Sequence, residues 1–196
     1  VKTNLPGQFS VYNALAAISC ARLLGVSLAD AAAALETAHG AKGRVEPVPT
    51  DGDYSIFIDY AVTPDAIENV LTTLRGIAPK RLVMLFGAGG DRDRKKRPIM
   101  GKLSADIADF VIVTSDNPRT EDPMSIIEEI LPGVRAGKAP YKVICDRPEA
   151  IRWAIDHHEP GDVILLCGKG HEDYQIIGHE KIHMDEREIV ADYLAE

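Results

Sequence analysis

The residues best suited to chemistry fall in four short polar segments, each directly after an apolar run. Gly168-Lys169-Gly170-His171-Glu172-Asp173-Tyr174-Gln175 follows Val163-Ile164-Leu165-Leu166, and Gly87-Ala88-Gly89-Gly90-Asp91-Arg92-Asp93-Arg94 follows Leu82-Val83-Met84-Leu85-Phe86. Asp116-Asn117-Pro118-Arg119 follows the run from Phe110 to Thr114, and Asp59-Tyr60-Ala61-Val62-Thr63-Pro64 follows that from Ser55 to Ile58. Glycine lets a backbone approach an anion, lysine and arginine supply positive charge, and carboxylates and amides accept from an ammonium group. In an open parallel sheet such residues collect beyond the carboxyl ends of the strands, where ligands bind. The pattern predicts one polar crevice on one sheet edge, with Lys169 within reach of an anionic group.

Each segment has its own reading. The glycines at 87, 89 and 90 lack the full Gly-x-Gly-x-x-Gly spacing and follow the second strand of the sheet, which argues against a nicotinamide dinucleotide site. The Asp91-Arg92-Asp93-Arg94 alternation instead suggests arginine forks for a carboxylate or phosphate, oriented by the aspartates. Asp116-Asn117-Pro118-Arg119 presents an acceptor and a donor together, as recognition of a zwitterion needs, or forms an Asx turn with a solvated arginine. His171 and Glu172 lack a second histidine at helical spacing and make no zinc motif.

The elements that must position these segments follow from periodicity. Strands centred on Ile56, Val83, Ile112, Ile144 and Ile164 alternate with helices over 64–75, 98–108, 123–131 and 148–157, the pattern of βαβ units in a mostly parallel α/β sheet. Each helix opens with Pro near its first turn. A hairpin is expected around Gly178-His179-Glu180, then a last helix capped by Asp185. Before Gly43 the pattern is a helical pair, 13–24 and 28–38, the second capped by Ser27. The domain boundary is placed there, giving 1–43 and 44–196.

A net charge of −8 over 196 residues disfavours nucleic acid and membrane surfaces as partners, while the basic cluster Arg92, Arg94, Lys95, Lys96, Arg97 suits a small anionic ligand. Cys20, Cys145 and Cys167 lie in apolar runs and read as buried thiols of a reducing, cytoplasmic compartment. No apolar stretch reaches the roughly 18 residues of a membrane span. The chain opens without Met, in what reads as a turn feeding a helix, and is read as a piece of a longer protein.

Taken together, Asn13-Ala14-Leu15-Ala16-Ala17, Gly43-Arg44-Val45-Glu46, Asp59-Tyr60-Ala61-Val62-Thr63-Pro64-Asp65, the Gly87–Asp93 segment, Asp116–Arg119 and Gly168–Gln175 occur in an order that resembles the Mur ligases, most of all their diaminopimelate-adding branch. The resemblance covers nearly the whole chain. It implies the end of the central ATPase domain followed by a Rossmann-like C-terminal domain, from an enzyme that uses ATP and Mg²⁺ to activate the D-Glu carboxylate of UDP-N-acetylmuramoyl-L-alanyl-D-glutamate for attack by meso-diaminopimelate. By the same resemblance, Asn13, Arg44 and Asp59 contact the nucleotide, and Arg92, Asp116, Asn117, Arg119, Gly168 and Glu172 hold the diaminopimelate, with Arg119 on its distal carboxylate. No phosphate loop or magnesium-holding set is present in the sequence, so the active site is completed by upstream domains and no metal ligand is assigned here. Val62 stands where the family usually carries His, a change expected to touch the nucleotide and not the amino-acid pocket. The competing reading is an amino-acid-binding module without turnover.

Overall fold

The computed structural model describes residues 1–3 and 5–195, which divide into two compact units between residues 41 and 42. The first unit is the expected helical pair, α1 (Gln8–Leu23) and α2 (Leu28–Glu36). Ser27 caps α2 by accepting from the Asp30 N–H at 3.0 Å. Cys20 is exposed on α1 and Cys145 only half-buried, so of the three thiols expected to be buried only Cys167 is.

In the second unit, β2 (Ser55–Asp59), β6 (Val163–Cys167), β3 (Leu82–Phe86), β4 (Phe110–Val113) and β5 (Tyr141–Val143) pair in that order, all parallel. A short strand that periodicity does not reveal, β1 (Glu46–Val48), adds antiparallel to β2 at the edge, where Pro47 can do without a backbone donor. Both sheet faces are covered. Met84, Phe86, Val111, Val113, Leu165 and Cys167 pack in one core with α3 (Pro64–Arg75), α4 (Lys96–Ile107) and α5 (Pro123–Arg135). The alternate residues Val83, Leu85, Ile112, Ile164 and Leu166 pack in the other with α6 (Arg147–Asp156) and α7 (Glu186–Leu194). Burial on both faces is why these strands read as unbroken apolar runs.

The helix starts are set locally. Thr63, Asp122, Asp146 and Asp185 each accept from a backbone N–H of the first turn, with Pro64 and Pro123 opening α3 and α5. Helix α4 differs, beginning at Lys96 without a side-chain cap, so Pro98 is its third residue. Helix α5 runs past Pro132 to Arg135 because Ile130, Leu131 and Val134 are buried, and that burial outweighs the hydrogen bond proline omits.

The expected hairpin, β7 (Tyr174–Ile177) and β8 (Glu180–His183), stands apart from the main sheet and grips the segment after β4. Arg119 N donates to Ile176 O at 3.0 Å, and Gly178 N to Arg119 O at 2.7 Å. Ile176 N donates to Asn117 Oδ1 at 2.9 Å and Gln175 Nε2 to Asp116 O at 2.6 Å. No helix of the described residues is long and apolar enough to cross a membrane.

Candidate functional site

The carboxyl ends of β2, β3, β4 and β6 converge on a cleft of about 130 Å³ that collects Arg92, Asp116, Asn117, Arg119, Gly168 and Glu172, the six residues singled out from three separate segments. Tyr60, Val62, Gly89 and Lys96 complete its lining. Two carboxylates and three cations around so small a volume suit a compact molecule bearing both signs of charge.

Asp116 is 7% exposed; its Oδ1 accepts from the Asn117 N–H at 2.6 Å, and its buried Oδ2 has no partner among the described residues. An acceptor in that state favours a cationic donor strongly, because burial without a hydrogen bond is costly. Gly168, at φ +114°, leaves the space: a Cβ there would lie 2.7 Å from Asp116 Oδ2. Arg119 is itself in the left-handed region at φ +52°, held by the β7 bridge. Its Nη1 donates to Gly90 O at 2.8 Å, and the rest of the guanidinium is without a protein partner among the described residues.

Asn117 lines the cleft, yet its amide works inward. Oδ1 accepts from Lys169 Nζ at 2.7 Å and Nδ2 donates to Glu172 Oε2 at 2.9 Å. Lys169 is fully buried and also donates to Glu172 Oε2 at 3.1 Å, with burial lowering its pKa. It therefore does not meet an anionic ligand, as the sequence suggested, but fixes one oxygen of Glu172 from behind. Burial, then the charges of Glu172 and Asp116, raise the pKa of Tyr60 beside them.

Of the basic cluster Arg97 is internal, Lys96 is half-buried, and Arg92, Arg94 and Lys95 are exposed. Arg97 is fully buried and paired with Glu121 at 2.8 Å and Glu129 at 2.7 Å, and Arg94 bonds Glu129. Asp91 accepts from Thr120 Oγ1 at 2.8 Å and Asp93 from Lys95 N at 2.9 Å, so the aspartates shape the loop and do not orient arginine forks. Gly87 and Gly90 serve packing: a Cβ would lie 2.4 Å from Thr114 O at the first and 1.9 Å from Pro118 O at the second. Only Arg92 and Lys96 of the cluster reach the cleft, Lys96 with its pKa lowered by burial and its Nζ donating to Val62 O at 2.8 Å.

Residues 43–170 match the family described as Mur ligase, glutamate ligase domain. The chain belongs to this family. It is 52% identical over 196 residues to UDP-N-acetylmuramoyl-L-alanyl-D-glutamate–2,6-diaminopimelate ligase of Caldanaerobacter subterraneus subsp. tengcongensis, covering 100% of this chain and 40% of that protein. Against the ligase of the same name from Clostridioides difficile it is 46% identical over 191 residues, 97% of this chain and 40% of that one. A solved structure of a diaminopimelate ligase of that name superposes with a TM-score of 0.77 at 38% identity, over 100% of this chain and 40% of that one. UDP-N-acetylmuramate-alanine ligase from Thermotoga maritima gives 0.69 at 29% identity, over 87% and 36%. The chain thus spans about 40% of the length of the curated relatives it matches.

Of the other residues singled out in this Mur ligase chain, Val62 lines the cleft and Arg44 and Asp59 do not. Asn13 is exposed on α1, in the first unit. Arg44 is exposed with its guanidinium 5.4 Å from the centre of the Tyr60 ring, and Tyr60 in turn lies 4.9 Å from the ring of His171. Asp59 ends β2 buried, accepting from the Val45 N–H at 2.8 Å, and burial raises its pKa despite that bond. Val62 stands in the cleft with the six residues, so its expected separation from them does not hold. Among the described residues there is no group of three His, Cys, Asp or Glu side chains that could hold a metal ion. A larger apolar groove of about 420 Å³ between α4 and α5 has Lys102 and Asp106 paired to each other at 2.5 Å.

Proposed function

We propose that the chain is the C-terminal part of an ATP-dependent ligase that joins meso-diaminopimelate to UDP-N-acetylmuramoyl-L-alanyl-D-glutamate in peptidoglycan precursor synthesis. One observation carries the reading: the cleft gathers Asp116, Glu172, Arg92 and Arg119 at one point. Diaminopimelate bears two ammonium and two carboxylate groups, so a site of both signs matches it better than a site of one. In this reading Arg119, with Arg92 beside it, takes the distal carboxylate. Asp116 Oδ2 and Glu172 take an ammonium group, Asn117 holds Glu172, and Gly168 keeps the space open. Asn13, Arg44 and Asp59 contribute to the nucleotide site. The phosphates and Mg²⁺ are held by upstream parts of the full-length protein, and residues 1–43 belong to its central ATPase domain.

What this chain contributes is positioning. A docked amino acid whose charged ends are fixed presents its free amine to the activated carboxylate at high effective concentration. The test is phosphate release by the full-length ligase with ATP, Mg²⁺ and the UDP-linked dipeptide, supplied in turn with diaminopimelate and lysine. Turnover dependent on diaminopimelate and much weaker with lysine is expected; equal use of both removes the specificity reading. Binding without turnover would favour an amino-acid-binding module, the second reading that the lack of a phosphate loop in these residues keeps in play.

A further inference from the structure

The geometry points to Arg147 as a positioning residue that sets the distance between Asp116 and Gly168 from beneath the cleft, an inference that rests on the amino-acid-binding reading above. Arg147 opens α6 directly after its cap Asp146, where a cation gains nothing from the helix dipole, and its side chain is fully buried. Nη2 donates to Cys167 O at 2.9 Å, Nη1 to Ser115 O at 3.3 Å, and Nε to Glu186 Oε1 at 2.9 Å. Cys167 ends β6 and Ser115 lies just beyond β4, and in the sheet those strands are separated by β3. A single guanidinium therefore ties together two strand ends that share no ladder.

The residues that follow those two carbonyls are Asp116 and Gly168. A peptide is planar, so fixing a carbonyl fixes the plane from which the next residue departs. The tolerance where those residues meet is small, since the Cβ position of Gly168 lies 2.7 Å from Asp116 Oδ2. A shift of the two ends apart or together moves that acceptor relative to the ligand.

A purely structural role would need only charge compensation for Glu186, whose Oε1 lies 2.8 Å from Nη2. Lysine would supply that charge but cannot place two rigid donors on two carbonyls. Replacing a buried ion pair with apolar residues of similar volume is often neutral for stability, which gives a second variant that folds without the fork.

The experiment compares the full-length ligase with Arg147→Lys and with the double variant Arg147→Met, Glu186→Leu. It measures KM for each of the three substrates, kcat, and thermal melting. We expect each variant to raise KM for the amino acid about tenfold or more, in line with the cost of misplacing a binding group by a fraction of an ångström. KM for ATP and for the UDP-linked dipeptide should stay within about twofold, taking a tenfold change as 1.4 kcal/mol. A folded variant with an unchanged amino-acid KM overturns the proposal, as does a parallel rise in all three constants. Failure of both variants to fold also overturns it, because Arg147 would then act on stability alone. A wild-type enzyme that ignores diaminopimelate overturns the proposed function instead, and the role of Arg147 is then read with whichever amino acid that enzyme accepts.

Discussion

With φ at +114° and an added Cβ 2.7 Å from Asp116 Oδ2, position 168 accepts no side chain unless the carboxylate moves. We expect Gly168→Ala to cost about 1–3 kcal/mol of stability from backbone strain, measured by denaturant unfolding, and to weaken amino-acid binding further than that strain explains. Binding that holds while stability falls would separate Asp116 from the ligand. Arg119 tests selectivity. In the full-length ligase Arg119→Ala should cost about 2–4 kcal/mol of transition-state stabilisation with diaminopimelate, read from kcat/KM, and far less with lysine. An unchanged ratio between the two amino acids would remove Arg119 from that role. The six residues singled out for the cleft were legible because each lies in a segment that follows an apolar run, and strand ends of one parallel sheet share an edge. Which way a charged side chain turns was not. Arg97 reads as part of a basic patch, yet positions 97, 100, 101, 104 and 105 are the buried stripe of α4, so helical periodicity carried the signal that it points inward. Lys169 offered no such stripe, lying between two glycines beyond its strand.

At the scale of elements, the start of α4 is locked to α5 and the loop before it by Arg97, Glu121 and Glu129, and this lock should set acid stability. Hydrogen bonding from Arg97 first, then from the Asp91 N–H, lowers the Glu121 pKa from its usual 4.5 to about 2. Glu129 is also lowered, chiefly by its bond from Arg94. Depressed carboxylates stabilise the fold fully above their unfolded pKa, and that contribution is lost as pH falls through the folded value. We therefore expect the melting temperature to drop between about pH 4.5 and 2, and Glu121→Gln to flatten that slope while lowering the melting temperature at pH 7. Equal slopes for wild type and variant would assign the acid sensitivity to other groups. The elements themselves were read well where local signals and burial agree, as in α3 and α6 with their caps and proline-bearing first turns. They were misread where tertiary packing prevails: α5 passes Pro132, and β1 is only three residues long with a proline at its centre, held by its pairing to β2.

Across the whole molecule, the division at residues 41 and 42 leaves every residue that lines the cleft in the second unit, while the first unit exposes Tyr12, Leu15, Leu23, Leu24 and Leu28. The second unit has two apolar cores, one on each sheet face, and so holds the layered burial an independent domain needs. Cooperative unfolding of residues 42–196 alone is expected, with solubility better than that of the 196-residue chain because those exposed apolar side chains are gone. Diaminopimelate should bind both polypeptides equally, with millimolar-order affinity, or about −4 kcal/mol, because an open cleft leaves its charge pairs screened by water. Neither polypeptide should release phosphate from ATP, since neither sequence contains a phosphate loop. Calorimetric titration with diaminopimelate and a phosphate-release assay on the two polypeptides check this together. Loss of binding on removal of residues 1–41 would mean that the first unit helps to form the amino-acid site, and phosphate release that follows the polypeptide through purification would mean that it carries its own phosphate-activating groups.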